Sequence, residues 1–202
     1  MTNVTSTARP GGAQTRVKLA IVGDYLKQFA RASQKAPDRI YIDGLAASGT
    51  GIDPRTGKTY DGSAKLCFQV EPRFTEVYLI EKDAQLAQEL ESLAVEYPAA
   101  VVIHNDVNVA IPELLATMNR RAPTFAFLDP EGTELHWKTV EALARHKAVP
   151  PARTKIELLV LFPLQMGVLR LLNFKTGRVP QGHVRKLEAM LGAYKARVAP
   201  FR

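Results

Sequence analysis

Four acids in this 202-residue chain stand where short apolar runs end. Asp43 closes Ile40 to Asp43, and Glu81 closes Glu76 to Glu81 (EVYLIE). Asp106 follows Ala99 to His104 (AAVVIH), and Asp129 closes Thr124 to Asp129 (TFAFLD). The first acid leads into a loop of small residues, YIDGLAASGTG from Tyr41 to Gly51. Such a loop lets the backbone approach a ligand, and Gly49 and Gly51 can adopt positive φ. An acid ending the second strand of a parallel sheet can accept both hydroxyls of a ribose. An Asp or Asn after the third strand, here Asp106, can accept from an adenine amino group.

The pattern therefore suits a nucleoside, and the loop narrows its kind. Diphosphate sites use G-x-G-x-x-G running straight into a helix. Here the loop reads A-A-S-G-T-G and an insertion follows. Asp43 suits a ligand carrying a cation, such as the sulfonium and ammonium of S-adenosylmethionine, whereas a pyrophosphate prefers no acid there. The reading is against a nicotinamide cofactor. A nucleotide hydrolase is disfavoured too, because Gly57-Lys58-Thr59 lies within the insertion with no helix start after it. His104, His136, His146 and His183 lack metal-ligand spacing, so no metal is expected. Cys67 falls on an apolar helical face and reads as core.

The elements that would carry these acids follow from periodicity. Five compact apolar runs, the four above and Ile156 to Phe162, have the look of strands buried on both faces. Helical patterns lie between them: Asp83 to Glu96, Ile111 to Arg121 with Pro112 near its start, and Leu135 to His146. Val17 to Ala32 forms another ahead of the first strand, with Leu19, Val22, Leu26 and Phe29 on one side. Strand and helix in alternation predict an α/β, Rossmann-like parallel-sheet sandwich. In such sheets ligands bind outside the carboxyl ends of the strands, where all four acids would line one rim. Gly51 to Gly62 is turn-rich and predicts a hairpin insertion, before a helix capped by Ser63.

Domain organisation is expected as a disordered leader over 1–14, one Rossmann-like domain over 15–173 and a basic helical tail over 174–202, with helix from Val184 to Val198. The formal net charge is +7. From Arg170 onward eight basic residues face a single acid, Glu188, which favours an anionic partner, nucleic acid first. No apolar run approaches the roughly 20 residues of a membrane span. One cysteine excludes an internal disulfide, and the cytoplasm is the expected compartment.

Lys18-Leu19, Tyr25-Leu26, YIDGLAASG, Asp61-Gly62-Ser63, YLIEKD (Tyr78 to Asp83), NDVN (Asn105 to Asn108) and FLDPEG (Phe127 to Gly132) with Trp137 together resemble the three-Cys-motif partner proteins. These are bacterial, methyltransferase-like proteins named for a neighbouring protein with a three-cysteine motif. The resemblance runs from about Lys18 to Arg170. It implies a class I S-adenosylmethionine-dependent methyltransferase fold, with Asp43, Gly44, Ala46 and Gly49 at the methionine end, Glu81 on the ribose and Asp106 on the adenine. It also implies a partner protein carrying that cysteine motif.

Three departures shape the functional expectation. The family's loop is roughly D-G-F-A-G-P-G, whereas Ala47 puts a methyl group where the backbone would approach the ligand. In similar amino methyltransferases an Asp-Pro-Pro-aromatic motif orients the target amino group and stacks the base. Asp129 and Pro130 keep the orienting role, and are the catalytic candidates, but Glu131 and Gly132 cannot stack. Trp137 would serve only if its helix faced the rim. The stretch after Phe162 is short for the two strands that normally complete the sheet, so either the sheet is trimmed or its terminal strand comes from elsewhere. Two functions follow: a methyltransferase-like protein acting on or binding nucleic acid, or an inactive partner of the same fold.

Overall fold

The computed structural model describes residues 9–147, 155–171 and 179–192. A two-residue strand, β1 (Arg9–Pro10), precedes helix α1 (Ala13–Ala32), and β2 (Ile40–Asp43) follows. Next come the hairpin β3 (Thr50–Ile52) and β4 (Thr59–Asp61), and the short helix α2 (Ser63–Phe68). Alternation then begins in earnest: β5 (Glu76–Glu81), α3 (Ala84–Ala94), β6 (Ala100–His104), α4 (Val107–Thr117), β7 (Thr124–Leu128), α5 (Trp137–Arg145) and β8 (Glu157–Val160). Helix α6 (Gln181–Leu191) lies beyond a tight helical segment at Leu164–Leu171.

Five strands form the main sheet in the order β6-β5-β2-β7-β8, every pair parallel. This is the Rossmann-like order, and the chain reverses direction across the sheet between β2 and β7. Side chains alternate between the two faces as strand geometry requires. Tyr41, Val77, Leu79, Phe125 and Phe127 point to the core under α1, α2 and α3. Ile40, Ile42, Ile80, Ala126 and Leu128 point to the core under α4 and α5. Both faces of β2 and β7 are wholly covered, which is why these runs carry no polar residue until their ends. Each fully buried Leu, Ile or Phe stabilises the fold by about 1.5–3 kcal/mol.

Several boundaries depart from expectation. Arg9–Pro10, within the stretch expected as a leader, pairs in parallel with Gly51–Ile52, and α1 begins at Ala13. Backbone pairing with the hairpin, which local composition does not reveal, orders this segment; residues 1–8 lie outside the described residues. Ser63 is the first residue of α2 rather than its cap, which is Gly62, and it is buried. Helix α4 starts four residues early because Asp106 caps it, and this leaves Pro112 inside the helix. Asp83 caps α3, its Oδ1 accepting from the N–H groups of Gln85 and Leu86. A tail helix is present as α6, but it starts at Gln181, three residues before the expected Val184, and ends at Leu191 before Gly192 at φ 77°; 174–178 and 193–202 lie outside the described residues. Among the described residues no strand follows β8, so β8 is an edge of the main sheet.

Candidate functional site

The carboxyl ends of β5, β6 and β7 bring Glu81, Asp106 and Asp129 to one rim, where two adjoining clefts open. Asp43 of β2, expected on the same rim, lies buried beneath it. One, of about 770 Å³, is lined by Lys18, Ala46, Ala47, Gly49, Tyr60, Ser63, Phe127, Asp129, Pro130, Glu131 and Phe162, among others. The other, of about 480 Å³, runs along Gly44, Leu45, Glu81, Lys82, Asp83, Asn105, Asp106, Val107, Asp129, Glu131 and Glu134. Leu45, Asp129 and Glu131 border both. Both volumes fall within the range of small-molecule sites. The smaller cleft gathers six acidic residues against one lysine, a field that favours a cationic guest.

Each candidate acid has a distinct environment. Asp43 is fully buried and borders neither cleft; it lies on the α1–α2 side of β2, beneath the loop. Burial pushes its carboxyl up to about 6, opposed by the Ser63 and Tyr41 hydroxyls. The Tyr41 hydroxyl donates to Oδ2 at 3.2 Å, while Oδ1 has no partner of good hydrogen-bond geometry. Ser63 favours the charged form by proximity without making a well-formed bond to that oxygen.

Glu81, expected to meet a ribose, holds protein backbone. Its Oε2 accepts the Ala47 N–H at 2.9 Å, and Oε1 accepts the N–H groups of Lys82 at 2.8 Å and Asp83 at 2.9 Å. The carboxylate thus braces the small-residue loop across to the start of α3. One lone pair of Oε2 remains beyond these bonds.

Asp106 combines capping with an ion pair. Its Oδ1 accepts from the backbone and side-chain nitrogens of Asn108, both at 2.9 Å, and its Oδ2 accepts Lys82 Nζ at 2.9 Å. Burial works against its charge, but the Lys82 and Asn108 donors prevail and hold the carboxyl below its usual range. Asn108 ties this corner to the β7–α5 loop: its Nδ2 donates to the Glu134 carbonyl at 2.7 Å, and its Oδ1 accepts from Thr139 Oγ1 at 2.7 Å.

Asp129 is paired with Lys18 of α1, whose Nζ donates to Oδ2. Lys18, which is not among the residues expected at the site, is therefore a site residue; an isolated lysine on a helix carries no local signal for a partner 111 positions away. Trp137 borders neither cleft. Its ring lies against the end of α6, where a Cβ on Gly192 would approach Cδ1 to 2.6 Å.

The loop between β2 and β3 is closely fitted. Ala47 adopts φ 53° and Gly49 φ 71°, both in the left-handed region. A Cβ on Gly62 would meet the Gly49 backbone at 2.9 Å, so the hairpin's exit packs directly on the loop. The hairpin itself is tied to α1 through Arg16, whose guanidinium donates to Asp53. The Arg16 bond and the Arg55 N–H hold the Asp53 carboxyl down at about 2. Gly57-Lys58-Thr59 lies at the turn and outgoing strand of this hairpin, not before a helix.

Parallel strands in this order, with ligand-sized clefts at their carboxyl ends, define a Rossmann-like α/β protein. No family model matches the chain, and no curated protein matches it. Among solved structures it is similar to a Legionella pneumophila strain Philadelphia 1 protein described by the family model DUF519. The identity is 17% over 64% of this chain and 64% of that one, at a TM-score of 0.49. It is also similar to a conserved hypothetical protein of Streptococcus pyogenes, at 16% identity over 69% of this chain and 79% of that one, with a TM-score of 0.41. The chain spans less than two thirds of the first neighbour's length. Among the described residues no helix is long and apolar enough to cross a membrane, and no His, Cys, Asp and Glu side chains are grouped to hold a metal ion.

Proposed function

We propose that the chain is an S-adenosylmethionine-binding, methyltransferase-like protein whose acceptor is a nucleic acid. The carrying observation is the pair of contiguous clefts, one strongly acidic and one mixed, that meet at Asp129 over the point where the strand order reverses. The acidic cleft fits a cationic nucleoside in sign and in size. Glu81 and Asp106 offer acceptors to its ribose and base, Gly44 borders the same cleft with its missing side chain leaving space for Leu128, and Ala46 and Gly49 line the larger cleft. Asp43 supports this end from below by charge rather than by direct contact.

When bound, S-adenosylmethionine supplies an electrophilic methyl group. The chain's own contribution is positional. Asp129 and the Pro130 carbonyl accept hydrogen bonds from an acceptor amino group and aim its lone pair, while Lys18 holds the Asp129 carboxylate in place. No strong base is required for such an attack, and Asp43 lies too deep to serve as one. The net charge of +7 favours a polyanionic acceptor, as do Arg55 and Lys58, exposed on the hairpin whose Tyr60 borders the larger cleft.

Calorimetric titration with S-adenosylmethionine and S-adenosylhomocysteine tests this reading, with Asp106→Asn and Glu81→Gln as controls. Micromolar binding, weaker for the uncharged thioether and weakened in both variants, is expected. Absence of binding at millimolar ligand refutes it.

Two observations favour a second reading, an inactive partner or scaffold of the same fold. Lys18 already neutralises Asp129, and Glu131 stands where an aromatic would stack a base. Cofactor binding without methyl transfer to any RNA or DNA, alone or with a three-Cys-motif partner protein, would establish it.

A further inference from the structure

We propose that Phe162 is the platform on which an unpaired nucleobase stacks in the larger cleft, beside Asp129. The inference rests on the nucleic-acid reading above and names the form of the acceptor: a base with an exocyclic amino group, in single-stranded RNA or DNA.

Strand register carries the argument. Leu128 of β7 pairs with Val160 of β8, and the Leu161 N–H donates to the Leu128 carbonyl at 2.9 Å just past the strand ends. The two chains therefore leave the sheet side by side, and Phe162 emerges next to Asp129-Pro130. Both border the same cleft. The residue after Pro130 is Glu131, so no aromatic comes from β7's own loop; the neighbouring strand provides one instead.

The other rings of the cleft are already committed. Phe127 is 2% exposed and belongs to the core. The Tyr60 ring fills the space above Gly51 and Gly11, where a Cβ would come within 2.1 Å and 1.8 Å of its atoms. Phe162 is 56% exposed, and no aromatic ring among the described residues stacks on it. An aromatic face in water beside hydrogen-bond acceptors is matched by a flat heteroaromatic ring that carries donors at its edge. A nucleobase with an amino group is such a ring. In a duplex that amino group is paired and both base faces are covered, so the acceptor base must be unpaired.

Fluorescence anisotropy with short labelled single-stranded RNA and DNA tests the proposal on the full chain and on Phe162→Ala, Phe162→Leu and Phe162→Trp. Loss of affinity by about 5- to 100-fold is expected for Ala and Leu, with Trp close to wild type. Duplex competitors of equal length should displace the probe poorly. Unchanged affinity in Phe162→Ala, full affinity in Phe162→Leu, or absence of oligonucleotide binding by the parent chain would each overturn it. The same variants are titrated with S-adenosylmethionine, whose affinity should not change. Failure of the parent to bind that cofactor while the Phe162 series behaves as expected would remove the methyltransferase reading alone.

Discussion

The Glu81 carboxylate and the Ala47 backbone N–H are joined by a 2.9 Å hydrogen bond that spans from β5 to the loop after β2. It holds a non-glycine residue at φ 53°, a conformation that costs an L-residue about 1–2 kcal/mol. Loop shape and cleft shape are thus set by one acid and one strained alanine.

Glu81→Gln should expose this dependence. The amide keeps one acceptor oxygen but turns an NH₂ group toward backbone donors, leaving at least one N–H unsatisfied. A loss of about 2 kcal/mol in urea unfolding is expected, with faster hydrogen exchange at Ala47, Lys82 and Asp83. Ala47→Gly should relieve the φ cost and offset most of the entropy that glycine adds to the unfolded chain, for a net change within about 1 kcal/mol. It should also bind the cofactor more tightly if the methyl group obstructs approach.

Asp43 carries a pH signature. Its folded carboxyl titrates near 6 against about 3.8 when exposed, so the unfolded chain releases the proton first as pH rises. The resulting penalty is absent below about pH 4, grows between 4 and 6, and is fully present above 6. The gap between the folded and exposed values corresponds to about 3 kcal/mol. Asp43→Asn should therefore be more stable than the parent at pH 7 by up to that amount, and equal to it at pH 4, in paired urea titrations.

Lys147 lies at the opposite end of the sheet and is 3% exposed. Its Nζ donates to the Ala122 carbonyl and to Thr124 Oγ1. Burial pulls its ammonium down to about 8, so a cost is present below pH 8 and is relieved as pH rises toward 10.5. Lys147→Met should stabilise the chain at pH 7 by about 2 kcal/mol, because Thr124 still donates to Ala122 in its absence. The difference should shrink at pH 10.

The hairpin is tied to α1 by Arg16 and Asp53. With the Asp53 carboxyl near 2, this tie is intact above about pH 4 and is lost as pH falls through 2. Arg16→Ala should speed hydrogen exchange in Thr59–Asp61 at neutral pH while leaving β2 and β7 protected, as measured by mass spectrometry.

Much of this architecture was legible in the residues. The five apolar runs read as strands because they are compact and lack alternation, and acids fall where four of them end. Burial on both faces holds for the central β2 and β7. It fails for β6 and β8, which lie at the sheet's edges and expose Val101 and Val160. Asp83 as a helix start and Gly51 to Gly62 as a hairpin follow from local turn and capping chemistry, which acts within a few residues. The environment of each acid was not legible. Whether a carboxylate meets a ligand or a neighbour depends on groups brought together by register and packing: Glu81 with Ala47, Asp129 with Lys18, Asp106 with Lys82. Trp137 turned to Gly192 and Phe162 came to stand beside Pro130 for the same reason. Local pattern depends on backbone geometry that any segment carries by itself, so the sequence alone determined the strands, the rim and its sign. The choice among hydrogen-bond partners depends on distances across the sheet, and only the tertiary structure decided which acids brace the loop, which lies buried and which ring faces the cleft.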